Sequence, residues 1–330
     1  MRKLVTSLMA LTMAAALPAC GDGVPRSAGV NQKVTDARTR NDGPAIWVAK
    51  DYDSTLYLFG TVHLLPENLN WQKEDMRQAF QEAGTVFFEV DTGPDGQIAA
   101  AVLTTSLGMR SDGLRLSDGL DNYQRNLLEA AANNGNLTIA SLDAMKPWLA
   151  TEFLSFSAAR NAGLNPELAA DEALKSRAKR SQKNIVYLET TDDQFRASAD
   201  LPDFVQIEVL TETLENYNRL GDEMTLIAKS WAIGRTEFLA EELIKPMKAR
   251  SPEVFNALLR DRNRKWASKL SRFMEDSGTG FVAVGTAHLL GEGSLLDELR
   301  EQGYDVRRHY AFQGENVIKP IDAKIERAGN

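Results

Sequence analysis

A six-residue pattern occurs twice in this 330-residue chain, each time at the end of an apolar run. Gly60-Thr61-Val62-His63-Leu64-Leu65 follows Ser54–Phe59, and Gly285-Thr286-Ala287-His288-Leu289-Leu290 follows Gly280–Val284. Short runs rich in β-branched and aromatic residues read as strands. After the first string, Trp71–Ala83 has apolar positions at helical spacing, and Thr85–Val90 reads as a further strand with Glu89 inside it. After the second, a helix is expected over Ser294–Gln302, then a stop at Gly303 and a strand over Tyr304–His309. Strand, loop, helix, strand is the βαβ unit of a parallel sheet. The expected fold is therefore α/β: a mainly parallel sheet from two related βαβ units carrying Gly-Thr-x-His loops, with a large helical insertion. Ile46–Lys50 adds a strand before a turn at Asp51-Tyr52-Asp53.

Residues 117–276 carry the insertion. Helices are expected over Asn122–Asn133, Trp148–Ala162, Asp171–Arg180, Asp203–Leu220, Glu223–Ile233, Arg235–Lys248 and Pro252–Glu275. Ile207, Leu210, Leu214 and Tyr217 form a core stripe on one of them. Asn184–Leu188 is short and β-rich and is expected to join the sheet.

The first twenty residues read as an address. Arg2-Lys3 precede an apolar run, Leu4–Leu17, shorter than the roughly 20 residues of a membrane span, and Leu17-Pro18-Ala19-Cys20 looks like a bacterial lipobox. Residues 1–19 are then a signal peptide, Cys20 is the lipidation site, 20–43 a tether, 44–312 the α/β domain and 313–330 a tail. The expected location is the bacterial envelope, lipid-anchored and facing the periplasm, with Gly21 favouring the outer membrane; without lipidation the protein is soluble and periplasmic. The membrane is a partner through the anchor alone.

Composition narrows the chemistry. The net charge is -8, with no sustained Lys/Arg run, so no nucleic-acid partner is expected. A single cysteine excludes a disulfide framework and any multi-cysteine metal site. Neither a Gly-x-Ser-x-Gly string nor a P-loop is present. Metal ligation falls to carboxylates and three histidines, His63, His288 and His309, of which His309 has no matching context and reads as structural.

In parallel α/β sheets ligands bind beyond the carboxyl ends of the strands, where both strings fall, so the two histidines can converge. Gly60 and Gly285 allow a tight turn, Thr61 and Thr286 can bond locally to the loop, and the imidazole two residues on faces the crevice. Glu89, a carboxylate in an apolar strand, needs either an arginine or a metal as partner. His63, His288 and Glu89 together suit one divalent ion, Mn²⁺, Co²⁺ or Zn²⁺, that polarises a carbonyl and activates water. Glu89 then serves as third ligand or as general base, and Arg262 as oxyanion stabiliser. Glu189, at a strand end, can enter the same crevice. Asp171 reads as a site residue or a helix cap, and Arg262 with Asn263 as site residues or part of a solvated charge run.

Ser54–Pro66, the Phe87–Asp91 strand, Lys146-Pro147-Trp148, Leu188-Glu189-Thr190, Asp261-Arg262-Asn263 and Val284–His288, in that order, resemble the TraB/GumN family (TraB/PrgY/GumN). The family is similar to the Tiki metalloproteases, and its fold to the erythromycin-esterase and ChaN-like group. The resemblance implies that the paired histidines are His63 and His288, that Glu89 is the acidic residue following the first, and that Glu189, Arg262 and Asn263 are site or supporting positions. Ala169-Ala170-Asp171 keeps the family's acid and lacks its glycine. The implied activity is a divalent-metal-dependent hydrolase acting on peptide or amide bonds of a peptide or protein substrate. The alternative is a non-catalytic envelope protein that sequesters a peptide, a metal or haem.

Overall fold

The computed structural model describes residues 43–310. The signal, lipobox, tether and tail expectations lie outside the described residues. Eight strands are present among the described residues: β1 (Ile46–Lys50), β2 (Ser54–Thr61), β3 (Leu65–Pro66), β4 (Thr85–Phe88), β5 (Leu164–Asn165), β6 (Asn184–Tyr187), β7 (Gly278–Gly285) and β8 (Asp305–Arg308). Six form one sheet in the order β6-β4-β7-β2-β1-β8, and β3 pairs with β5 in a two-residue ribbon. β2, β4, β6 and β7 run parallel, while β1 is antiparallel to both β2 and β8. The α/β expectation with a mainly parallel sheet therefore holds, and the two βαβ units interlock: β7 sits between β2 and β4. This brings the ends of β2, β7 and β4 side by side, Thr61 opposite Gly285 and Phe88 opposite Ala283.

The helices are α1 (Glu74–Glu82), α2 (Pro94–Leu103), α3 (Asn122–Asn134), α4 (Ile139–Asp143), α5 (Pro147–Asn161), α6 (Ala170–Arg180), α7 (Thr191–Ala199) and α8 (Asp203–Ala232). Then come α9 (Thr236–Leu239), α10 (Lys245–Arg250), α11 (Pro252–Phe255), α12 (Asp261–Met274) and α13 (Leu295–Glu301). Single π-helical turns, Ala240–Ile244 and Asn256–Arg260, join α9 to α10 and α11 to α12. The sequence reading differs in several places, the unexpected short α4 among them. Helical structure begins at Pro94 rather than near residue 117, α7 was not anticipated, and the two helices expected over 203–233 are one. The interruption expected at Gly221 is absent because that glycine packs a helix contact: a Cβ there would lie 2.6 Å from Ala158 O and from Ala162 Cβ. Ile207 is only partly buried, whereas Leu210, Leu214 and Tyr217 are core as expected.

The sheet is apolar on both faces, which explains the near-continuous hydrophobic runs. Tyr57 and Phe59 of β2 join one core with α1, α6 and the Trp231 end of α8, and Leu56 and Leu58 join the opposite core with α12 and α13. A third core lies among α3, α5, α7 and α8. No helix among the described residues is long and apolar enough to cross a membrane.

One face of α5 carries buried polar atoms without hydrogen-bond partners: Trp148 Nε1, Glu152 Oε1 and Ser155 Oγ, at spacing i, i+4, i+7. Burial pushes the Glu152 carboxyl well above its usual 4.5. The folded state therefore holds this proton more tightly than the unfolded chain, and stability falls as pH rises above the unfolded value. Glu152→Gln removes the titration. Urea unfolding should show the variant gaining on the parent as pH rises above about 5; a difference independent of pH would contradict a buried neutral carboxyl.

Candidate functional site

β2 ends where Trp231 Nε1 donates to Gly60 O at 2.7 Å, and the chain turns there into the His63 loop. Gly60 is required by close packing, since a Cβ would come within 2.9 Å of Thr286 Cα in the second string. The two duplicated strings thus touch. Ala170 N donates to Val62 O at 3.0 Å, which docks the first turn of α6 against the loop and sets Asp171 beside His63. His63 Nδ1 lies 3.0 Å from Asp171 Oδ1. Asp171 is therefore a partner of His63 and not the N-cap, which is Ala169. The local hydrogen bond expected for Thr61 is not made, and its buried Oγ1 is without a partner.

His288 sits on the 3₁₀ turn Thr286–Leu289 and meets Asn263 of α12: its Nδ1 lies 2.6 Å from Asn263 Oδ1. Asn263 Nδ2 donates to Gly293 O at 2.9 Å, so the amide oxygen faces the imidazole and accepts from Nδ1–H. In both histidines Nδ1 is engaged, and Nε2 is buried without a hydrogen-bond partner. Trp266 packs against the His288 ring with centroids 4.3 Å apart.

Glu89 follows β4 directly rather than lying inside the strand. The ladder with β6 continues past both strand ends, with Leu188 N donating to Phe88 O and Glu189 N to Glu89 O, so the two glutamates emerge together. Arg262, only 4% exposed, joins them. Its NH2 group donates to Glu89 Oε2 at 2.9 Å and to Glu189 Oε1 at 2.6 Å, its Nε–H to the Glu189 carboxylate, and its NH1 group to Leu258 O. The solvated-run reading is overturned for Arg262 and Asn263. They share the buried face of α12 with Trp266 and Leu270, while Arg264 and Lys265 face outward.

Glu89 Oε1 accepts from Gly285 N at 2.5 Å, and Gln194 Nε2 donates to Oε2 at 3.4 Å. A Cβ at Gly285 would stand 3.1 Å from Glu89 Oε1, 3.7 Å from His288 Cδ2 and 3.9 Å from His63 Nε2. Both histidines and the glutamate therefore converge on one glycine, whose missing side chain leaves them room.

The surroundings divide the charges. Burial would raise Glu89's pKa, but Arg262, His288, His63 and the Gly285 N–H outweigh it and hold the group below the usual carboxylate value. Burial dominates for Glu189, which is raised despite Arg262. Asp171 is lowered to about 2, since His63 and Lys175 overcome its burial. Burial lowers His63, yet Asp171 and then Glu89 bring it above the ordinary imidazole value. His288, opposite an amide instead of a carboxylate, is lowered to about 3 by burial and Arg262.

A crevice opens on one side, lined by Thr61, His63, Glu89, Asp171, Lys175 and Gln194, among others. Lys175, Gln194 and Trp266 were not anticipated from sequence. Helical spacing from known positions was the available signal, since Lys175 is i+4 from Asp171 and Trp266 is i+4 from Arg262.

Among the described residues no group of three or more His, Cys, Asp or Glu side chains is arranged to hold a metal ion. The donor chemistry fits one: two unpartnered imidazole Nε2 atoms, each with Nδ1 fixed by an oxygen acceptor, is the arrangement typical of ligating histidines.

Arg262 is what makes two buried carboxylates tolerable. Arg262→Met should lower unfolding free energy by about 3–5 kcal/mol, the cost of stranding buried charge. Adding Glu89→Gln and Glu189→Gln should recover much of that loss in guanidinium melts, whereas an uncorrected loss would mean that packing, not charge, is at stake.

The TraB/PrgY/gumN family matches residues 45–308. YbaP of Escherichia coli (strain K12), an uncharacterized protein, is 21% identical over 257 residues, 78% of this chain and 92% of the relative. YbaP of Shigella flexneri, likewise uncharacterized, is 28% identical over 153 residues, covering 46% of this chain and 56% of the relative. No solved structure matches the chain significantly. The family match spans the whole sheet and every residue of the site, and the chain belongs to the TraB/PrgY/gumN family.

Proposed function

We propose that this protein is a divalent-metal-dependent hydrolase acting on peptide or amide bonds at the bacterial envelope. The observation that carries the reading is the matched pair of buried histidines, each holding Nδ1 against an oxygen acceptor and leaving Nε2 without a partner. His63 and His288 would hold the ion through Nε2, with Glu89 Oε1 as the neighbouring carboxylate donor. When bound, such an ion polarises a carbonyl and lowers the pKa of water.

The chain's own residues do the rest. Asp171 and Asn263 fix both imidazole rings and their tautomers. Glu89, kept ionised by Arg262 and the histidines, is suited to supplying negative charge and less suited to a general base, which works best with a pKa nearer the operating pH. Arg262 has its donors directed at Glu189, Glu89 and Leu258 O, so it acts as a positioning residue and not as oxyanion stabiliser. Mn²⁺, Co²⁺ and Zn²⁺ all suit two imidazoles and a carboxylate.

Elemental analysis of residues 21–330, purified without a His-tag, should find about one metal equivalent, lost in folded His63→Ala and His288→Ala variants. Asp171→Asn should weaken affinity by about 10–100-fold, as loss of a ligand's supporting carboxylate does. The loaded parent should cleave members of a peptide library. No metal after reconstitution with Mn²⁺, Co²⁺ and Zn²⁺ would sink the metallohydrolase and favour a binder, which a haem absorption band would identify directly.

The envelope location rests on the lipobox sequence ending at Cys20. In a bacterial host Cys20→Ala should move the full-length protein from the membrane fraction to the soluble fraction; an unchanged distribution would remove the anchor from the proposal.

A further inference from the structure

With Arg262 committed to its carboxylates, the protein still has to supply a side-chain donor beside any bound ion for the negative charge that amide hydrolysis creates. In that reaction water oxygen bonds to the carbonyl carbon and the π pair moves onto the carbonyl oxygen. Collapse then re-forms C=O, the C–N bond breaks, and the departing nitrogen takes up the proton that water gave up. The oxyanion needs a donor facing the crevice.

We propose that Lys175 is that donor, a further catalytic residue whose ammonium group stabilises the tetrahedral oxyanion of an amide substrate. The assignment rests on the hydrolase reading above. Among the described residues lining the crevice, Lys175 is the one Lys or Arg. Its side chain is 7% exposed, and Nζ donates to Thr92 Oγ1 at 2.7 Å and to Glu172 Oε1 at 3.2 Å. An ammonium has three N–H groups, and the nearest remaining anion, Asp171 Oδ2, lies at 4.0 Å, beyond hydrogen-bond reach. One N–H is therefore left over on a side chain that lines the crevice.

The placement is built rather than incidental. Lys175 lies one helical turn after Asp171 on α6, so the helix that orients His63 also carries the cation. Thr92 Oγ1 donates to Glu172 Oε1 at 2.5 Å while accepting from Lys175, which ties the loop after Glu89 to the same helix. The Phe88 ring, which also lines the crevice, lies 5.5 Å from Nζ. Glu172 and Thr92 hold the ammonium in place, and the Arg262 guanidinium offsets the charge of Glu89 nearby.

The test compares the chain 21–330 with Lys175→Met and with Lys175→Gln, which keeps a donor for Thr92 and Glu172 should the methionine variant not fold. Co²⁺ stoichiometry, peptide-library cleavage and binding of inorganic phosphate, a tetrahedral oxyanion, are read on each. The expected result is unchanged Co²⁺ content, KM within about threefold, kcat lower by about 100-fold and phosphate binding weaker by at least about tenfold. Parent-like kcat in a folded variant would overturn the assignment. If the parent takes up no Co²⁺ and cleaves nothing, the hydrolase reading fails by itself. Phosphate then decides whether Lys175 is an anion site: binding lost in the variants supports it, and absent or unchanged binding refutes it.

Discussion

One buried guanidinium holds the site together. Arg262 reaches from α12 across the ends of β4 and β6 and bonds both Glu89 and Glu189. Moving ions out of water costs several kcal/mol each, and mutual attraction offsets this only when every donor and acceptor is paired. Here the pairing is extensive. Trp266 Nε1 donates to Glu189 at 3.1 Å, and the guanidinium lies over the Trp266 ring, 4.7 Å from its centroid. A hydrophobic cluster would join helix to sheet with less geometric demand. The ion cluster fixes the direction of the Glu89 carboxylate.

The site is symmetric in sequence and asymmetric in charge. Each Gly-Thr-x-His string delivers a histidine, but the acceptor behind His63 is a carboxylate and that behind His288 an amide. A carboxylate stabilises a protonated ring, whereas a neutral amide beside Arg262 does not, which is why the two histidines shift in opposite directions. The two loops are thus similar, and the helices packed behind them give the histidines different properties.

The sequence carried what is local and repeated. Both strings, the strands leading into them and the helices after them follow from apolar spacing, as do the ends of α3 and α6 to within a residue. What it concealed depends on contacts made by distant residues. The insertion of β7 between β2 and β4 is a topological choice that either βαβ unit alone leaves open. Arg262 reads as solvated among Asp261, Arg264 and Lys265, because the i, i+4 pattern with Trp266 and Leu270 becomes decisive only once a sheet edge with two carboxylates is known to face it. Gly221 looks like a helix end, since nothing local shows that α5 presses against it. Glu89 was legible as a carboxylate in need of a partner. That an arginine meets that need at one oxygen, while the backbone N–H of Gly285 meets the other, is information held in the packing.

Crevice access separates the two histidines further. His63 lines the opening and His288 lies behind it, stacked on Trp266 and only 1% exposed. At Gly285 a methyl group would crowd the Glu89 carboxylate and stand within 4 Å of both imidazoles. The same opening is bordered by Thr92 and Gln194, which also line a neighbouring depression between the start of α2 and α7. His288 is thus enclosed and held neutral, its pKa lowered to about 3, whereas His63 is the histidine that lines the crevice and, against its burial, is raised by Asp171.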